Sequence, residues 1–513
     1  MLAPLLGRSG PNKLHATARR LLVVGAVLTG CATYSDRTQE ARDALQRGDY
    51  EGSVKQFNKV LKVRKSEELP NKMKKNYELV VLERATMLQA LGLYELSSRD
   101  FEVADKKLEL LDIARDGAGK LGKYIYSDSA TKYKTSPTEK LALNAMNMCN
   151  YLALGDLSGA KIEAKRFTVM RKYLSDYKPE SEHGAFGSYL AGYVYERLGQ
   201  PDEALRYYEE ALQERDFSSL REVIPELAKT ASFRAERIND YLPDDMRRGF
   251  VPPPNPKPKP QPEPEPEAAE EPAPAPKDEG EPEIQRPKSA ELAALPAASS
   301  PWAAAPVQGG EILVVAKVGR VPYKIPKRIP IGLAIGLAGA FVTGDTTLLE
   351  YGMFKFVVYP ELVPSNAIFD TATLRIDGHD VGMDLATDLT TEIVDEYEDI
   401  KPKIIGAALT RMIVRAAAAE GARAAGNQAE GAGGLVGFLA AAALEGTLVA
   451  LDKPDTRSWS TLPARVFVAR TRVPAGKHHL QVTASGNRGR EVRDVEVTVP
   501  AGGFVVLDVT TLR

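Results

Sequence analysis

Between Tyr34 and Pro243 the apolar residues recur at helical spacing and proline is scarce, which predicts a run of helices. A frame returns four times inside this run: Gly48, Ser53, Phe57 and Val60; Gly92, Ser97, Phe101 and Ala104; Gly155, Ala160, Ala164 and Phe167; Gly199, Ala204, Tyr208 and Ala211. The offsets of 5, 9 and 12 from the glycine are the same each time. Glycine suits the tight turn between two antiparallel helices. The small residue five on lets the second helix press against the first, and the later positions fill the seam with the next pair. The turn glycines lie 44, 63 and 44 residues apart, so the helices are lengthened or carry insertions such as "KVRKSEELPNKMKKN" and "SDSATKYKTSPTEK".

The period is lost at "VPPPNPKPKPQPEPEPEAAEEPAPAPK", beginning at Val251. Alternating Lys-Pro and Glu-Pro has almost nothing to bury and predicts an extended tether at about 3.1 Å per residue, reaching on the order of 150 Å. From Gly310 the period becomes that of strands. "GEILVVAKVGRVPYK", "FKFVVYPELVP" and "ATLRIDGHDVG" read as strands with turns, and from Ala464 to Leu512 alternation and glycine turns continue to the end. Three apolar stretches interrupt them: "IGLAIGLAGAFVTG" from Ile331, "PKIIGAALTRMIVRAAAAEGARAAG" from Pro402 and "GGLVGFLAAAALEGTLVAL" from Gly433. Arg411 and Arg415 in the second and Glu445 in the third argue for a helical hairpin packed on the sheet or a partner, rather than for membrane spans. The expected architecture is therefore multidomain. It comprises an all-α helical repeat domain over 31–245, a Pro/Glu/Lys-rich disordered linker over 250–308 and an α+β domain over 310–513. That last domain is an antiparallel sheet or sandwich, with strands over 311–380, helices over 385–450 and a β tail over 464–512.

The first 30 residues follow a different logic. Arg19 and Arg20 precede "LLVVGAVLTG", an apolar core well short of the roughly 20 residues a membrane helix needs, and the run stops at Cys31. Basic flank and short core are the layout of a secretory signal. The ending Leu28-Thr29-Gly30-Cys31 resembles the bacterial lipobox. That resemblance implies cleavage before Cys31, a diacylglyceryl thioether on its sulfur and an acylated amine, which together anchor a chain stably to a membrane. Ala32 stands where an inner-membrane lipoprotein of enteric bacteria has Asp, so the resemblance implies the outer membrane, with the body in the periplasm. The long basic region is also compatible with a start codon downstream of Met1.

Three further resemblances rest on quoted residues. The glycine frame resembles the tetratricopeptide repeat, best in its last copy, "YVYERLGQPDEALRYYEEAL". "VPAGKHHLQV" and its surroundings resemble the PEGA-type β module of bacterial surface proteins. The whole layout resembles a family of tetratricopeptide-repeat bacterial lipoproteins of unassigned molecular role, through "YKTSPTEKLALNAMNMCNYLALGD" with "AKIEAKRF", "DEYEDIKPKIIGAALTRMIVRA" and, most specifically, "DTRSWSTLPARVFVARTRVPAGKHHL". These resemblances imply a scaffold in envelope assembly or secretion. One or more envelope proteins would bind the concave surface of the repeats, and the lipid anchor would hold the membrane.

Composition changes little. The net charge of −2 gives no basic footprint for nucleic acid. Of two cysteines, Cys31 is expected to be acylated and Cys149, in an apolar helical pattern, to be a buried inert thiol. Neither an HExxH nor a GxSxG nor a Walker motif occurs. His478 and His479 are adjacent on a strand and point to opposite faces. His379 with Asp377 and Asp380 is either a metal corner or a solvated turn. Asp455, Arg457 and Trp459 form the most pointed cluster, which either recognises a ligand or fixes the loop before the last strands. No catalytic, metal or cofactor residue is assigned, so a non-enzymatic scaffold is expected. The competing readings are an envelope hydrolase or transferase with an unrecognised site in the C-terminal domain, or an oligomeric membrane-associated secretion component.

Overall fold

The computed structural model describes residues 34–74, 76–110, 133–177, 184–247, 309–342, 356–427 and 454–513. The signal and Cys31, the linker over 250–308 and the apolar run from Gly433 lie outside them. Four helical hairpins follow one another: α1 (Tyr34–Gln46) with α2 (Tyr50–Leu61), α3 (Tyr77–Ala90) with α4 (Tyr94–Lys107), α5 (Pro137–Ala153) with α6 (Leu157–Tyr177), and α7 (Ala185–Arg197) with α8 (Pro201–Glu214). Two short strands, β1 (Glu109–Leu110) and β2 (Lys134–Thr135), pair in parallel before α5. Short helices α9 (Val223–Ala228), α10 (Glu236–Asp240) and α11 (Asp244–Arg247) end this part.

The hairpin turns are built identically. Gly48, Gly92, Gly155 and Gly199 have φ of 80°, 71°, 73° and 68°, a conformation in which a Cβ is strained. In each turn the glycine N–H donates to the carbonyl three residues back, and the next N–H donates to the carbonyl five back; Gly199 to Glu196 and Gln200 to Tyr195, both 2.9 Å, are one example. This pair of bonds satisfies helix carbonyls that would otherwise lack donors. The residues 5, 9 and 12 after each glycine are fully buried, except Val60, which is half-buried. Helix α7 also carries Gly187 and Gly192, where a Cβ would come within 2.1 Å of the Phe167 ring and 2.5 Å of the Tyr208 ring. Only glycine admits these aromatic rings so close to the helix axis. At the start of α5, Ser136 and Glu139 form a reciprocal capping box with Pro137 in the first turn.

The C-terminal part contains two four-stranded sheets. One has the order β11 (Gly489–Val499), β10 (Gly476–Gly486), β6 (Thr371–Ile376), β7 (His379–Val381), and all its neighbours are antiparallel. The other has the order β12 (Phe504–Thr511), β3 (Gly309–Val318), β9 (Arg465–Pro474), β8 (Asp384–Asp388). Here β3–β9 and β9–β8 are antiparallel, as expected, while β12 runs parallel to β3, with nearly the whole domain between the two strands serving as the crossover. A separate ribbon pairs β4 (Tyr323–Pro330) with β5 (Phe356–Val363), and α12 (Ile331–Ala338) sits at its end. The long helix α13 (Leu389–Asn427) follows β8.

Strand β3 shows how the parts join. Ile312, Val314, Ala316 and Val318 face the other sheet and pack with Leu374, Leu480 and Val482. Leu313 and Val315 belong instead to the core formed by α5–α8, with Tyr193 and Tyr208. A strand covered on both faces reads as a continuous apolar run, which is the pattern of "ILVVAKV". Arg247 and Gly309, the described residues flanking the linker, therefore belong to one packed body. Whatever reach the proline-rich segment has, the sheet is seated on the helices with a shared apolar core.

Candidate functional site

A stacked hairpin array leaves one face open unless something covers it. Here two of the four first helices are buried on every side: α3 from Tyr77 to Gln89 and α7 from Ala185 to Glu196. Their outer sides meet the second helices, and their inner sides meet β12, β3, β9 and β8. The face expected to receive a partner protein is occupied by the chain's own sheet.

Three buried polar clusters pin this seam. In the first, Lys317 of β3 is fully buried and its Nζ donates to Asp508 Oδ2 of β12 and to Gln89 Oε1 of α3, both at 2.5 Å. Gln89 Nε2 in turn donates to Asn150 Oδ1 at 2.7 Å, so the pair continues into α5. Burial pushes the Asp508 carboxyl up, and Lys317 opposes it. In the second, Arg470 of β9 donates to Glu196 Oε2 of α7 at 2.8 Å and to Glu311 Oε2 of β3 at 2.9 Å. Tyr193 lies under two guanidinium groups, Arg470 at 5.0 Å and Arg197 at 5.1 Å from its ring centre. Burial works against the Glu196 charge, but Arg470 and then Arg197 outweigh it and bring its carboxyl down to about 2.

The third cluster holds the loop that includes the cluster singled out in the sequence. Arg457 grips Asp455 through Nε at 2.7 Å and Nη2 at 2.5 Å, and its Nη1 donates to Asn76 Oδ1 at 2.7 Å. Trp459 is fully buried. Its indole N–H donates to Thr86 Oγ1 at 3.0 Å and its ring meets Phe101 edge-on, with centres 6.1 Å apart. Next to it, the Glu83 carboxylate of α3 accepts from the backbone N–H groups of Ser460 (3.1 Å) and Thr461 (3.0 Å) and from Tyr34 Oη (3.3 Å). Burial raises the Glu83 carboxyl, and the Thr461 and Ser460 bonds hold it down in part. Asp455, Arg457 and Trp459 thus sit on one loop, and each is tied either to the helices or to its neighbour on the loop.

Beside this loop is a cleft of about 520 Å³ whose lining includes Tyr133, Glu139, Lys324, Glu396, Tyr397 and Trp459. Both carboxylate oxygens of Glu396 are buried without a hydrogen bond of ordinary geometry among the described residues. Burial raises this carboxyl to about 7, the neighbouring Glu139 adds to the rise, and Ser136 and Thr138 oppose it. Glu139 is fully engaged: it accepts from Tyr133 Oη at 2.7 Å, from Ser136 N at 3.0 Å and from Trp459 N at 3.3 Å. The two carboxyls therefore differ: Glu139 is a structural acceptor, and Glu396 is a buried carboxyl at the cleft wall whose pKa is raised. Among the described residues no group of three or more histidine, cysteine, aspartate or glutamate side chains is arranged to hold a metal ion. Asp377, of the turn read as either a metal corner or a solvated turn, accepts from His478 Nδ1 (2.6 Å) and His479 N (2.9 Å). Cys149 is buried and unpaired, and burial pushes its thiol up to about 12. Cys31 lies outside the described residues.

Residues 185–216 match the tetratricopeptide repeat family. The matched repeat is the α7–α8 hairpin, which carries Glu196 and Tyr208 of the second cluster. Two solved structures, each titled as a crystal structure of MamA, are similar to part of the chain. One is 14% identical and covers 37% of this chain and 81% of that chain, with a TM-score of 0.24. The other is 12% identical, with coverage of 41% and 82% and the same TM-score of 0.24. No curated protein matches. The residues that tie the helices to the sheet (Arg470 and Glu311 at α7, Lys317 and Asp508 at α3) and the cleft carboxyl Glu396 are not among the candidates read from the sequence. The available signal was a lone charge inside an apolar strand, Lys317 in "ILVVAKV" and Asp508 in "FVVLDVTT".

Proposed function

We propose that this chain is a lipoprotein held by acyl chains on Cys31 at the periplasmic face of the outer membrane. There it acts as a non-enzymatic protein-interaction scaffold in envelope assembly or secretion. The observation that carries the scaffold reading is the tetratricopeptide repeat at 185–216, set among three further hairpins with the same glycine turn. The lipobox-like Leu28-Thr29-Gly30-Cys31 supports the anchor. Tyr34, where α1 begins, follows Cys31 by three positions, so acylation would hold the first hairpin close to the lipid surface.

Because the inner face is covered, the partner-binding surface in this reading is the outer one formed by the second helices. Helix α6 presents Ile162 and Val169 there, 51% and 72% exposed, on a helix whose Ala160, Ala164 and Phe167 are fully buried. Photo-crosslinking from position 169 in cells fed labelled palmitate tests both halves of the reading. The expected result is a palmitate-labelled chain with at least one discrete heavier adduct. An unlabelled chain contradicts the anchor, and a labelled chain without adducts from any outer-face position contradicts the scaffold.

A further inference from the structure

The ribbon β4–β5, helix α12 and the middle of α13 form a small module with its own core. Ile331, Ala334 and Ala338 of α12 pack with Ile329, Val357 and, from α13, Ile405, Leu409 and Met412. Gly406 of α13 permits this, since a Cβ there would meet the Phe341 carbonyl oxygen at 2.4 Å. The other side of α12 is uncovered: Leu333 and Leu337, four apart and so on one stripe, are 53% and 42% exposed. Phe356, paired with Pro330 at the foot of α12, is 55% exposed, and Val414 of α13 is 54% exposed. Apart from Ile162 and Val169 on α6, the exposed large apolar side chains elsewhere among the described residues are scattered. Here five, counting Ile325 of β4, belong to one module, and such concentration marks a binding surface.

The chemistry of this surface selects its occupant. From Ile329 to Val342 the chain reads "IPIGLAIGLAGAFV", without a charged or hydrogen-bonding side chain. A protein partner ordinarily meets a polar contact every 100–200 Å², roughly, whereas a lipid surface asks for none. Cations stand next to the apolar tip. Lys327 and Arg328 are exposed on β4, Lys324 lies further down the same strand, and Lys403 Nζ sits over the Phe341 ring at 5.9 Å. Glu361 answers Lys327 at 2.8 Å, which leaves the collar positive among the described residues. An apolar stripe with a cationic collar fits an anionic bilayer surface, where the apolar residues enter the headgroup boundary and the cations meet phosphate. Helix α12 is eight residues long, and no helix among the described residues is long and apolar enough to cross a membrane, so the contact is interfacial.

We propose that α12 and the adjoining end of the β4–β5 ribbon form a docking surface for anionic lipid, independent of any acyl chain on Cys31. The test uses the unlipidated chain from residue 32 to 513, so its outcome does not depend on the anchor. Flotation with vesicles of phosphatidylcholine alone is compared with flotation on vesicles that also contain phosphatidylglycerol. The expected result is binding to the anionic vesicles, weakened by salt and abolished in the double variant L333D/L337D. Those side chains point away from the module core, and unchanged circular dichroism and melting confirm that the variant folds. R328Q, which leaves the apolar stripe intact, should weaken anionic binding by about fivefold. Three results would overturn the proposal: no binding to either vesicle, equal binding by L333D/L337D, or a wild-type dimer in sedimentation that L333D/L337D converts to monomer without any vesicle effect. The last would assign the surface to a second copy of the chain.

Discussion

Lys317 is a primary ammonium in a strand that is otherwise apolar, and it is held by a carboxylate and an amide from two different elements. Removing one partner of a buried pair leaves the other charge without compensation, which costs about 3–5 kcal/mol. K317M should therefore lower the stability measured by urea unfolding by that order. The double variant K317M/D508L, which removes both charges, should recover much of the loss. A K317M protein as stable as the wild type would mean that the strand does not sit against α3. Arg470 and Glu196 obey the same logic, but Tyr193, Tyr208 and Arg197 share their cluster, so single substitutions there will not add. None of these pairings was legible in the sequence. Each joins residues more than a hundred positions apart, and in isolation Glu196, Arg470 or Glu83 reads as a surface charge. Only the lone charge within an apolar strand pointed inward.

At the scale of elements, the turns were the most legible feature, because a left-handed backbone at a helix end asks for glycine and the following helix asks for a small residue at a fixed offset. The strand turns were legible for the same reason: Asp377 and Gly378 take φ of 50° and 83° between β6 and β7. What the turn then does was not legible. Asp377 reaches back to β10, where both ring nitrogens of His478 face acceptors, Asp377 Oδ2 at 2.6 Å and the Pro474 carbonyl at 2.7 Å. Only the doubly protonated ring donates to both, so the Asp377 bond, and then the Pro474 bond, raise the His478 pKa. A raised folded-state value means that the contribution is fully present below the unfolded imidazole value of about 6.5 and is lost as pH rises through the folded one. The stability difference between wild type and H478Q should thus be largest below about pH 6.5 and should shrink as the pH climbs. A difference that stays level or grows with pH would contradict this bridge. The helices without an apolar stripe, α3 and α7, were ambiguous for a different reason: burial on every side erases the amphipathic pattern that would have shown which face meets the sheet.

At the scale of the whole molecule, the helical repeats and the sandwich share cores and three buried polar clusters. The loop from Asp455 to Thr461 is what inserts between α3 and α5. This arrangement changes what a repeat domain offers. The inner face is covered from within, which on the proposed reading leaves the outer helices for partners and the α12 module for lipid. It also makes the linker over 250–308 dispensable for holding the two parts together, and this is the claim on which the account depends. The direct measurement is to place a protease site within residues 250–308, cut the purified protein, and follow the two halves by gel filtration without denaturant. The account predicts that the fragments carrying residues 34–247 and 309–513 elute together at the position of the uncut chain. Fragments that separate on the column would contradict it.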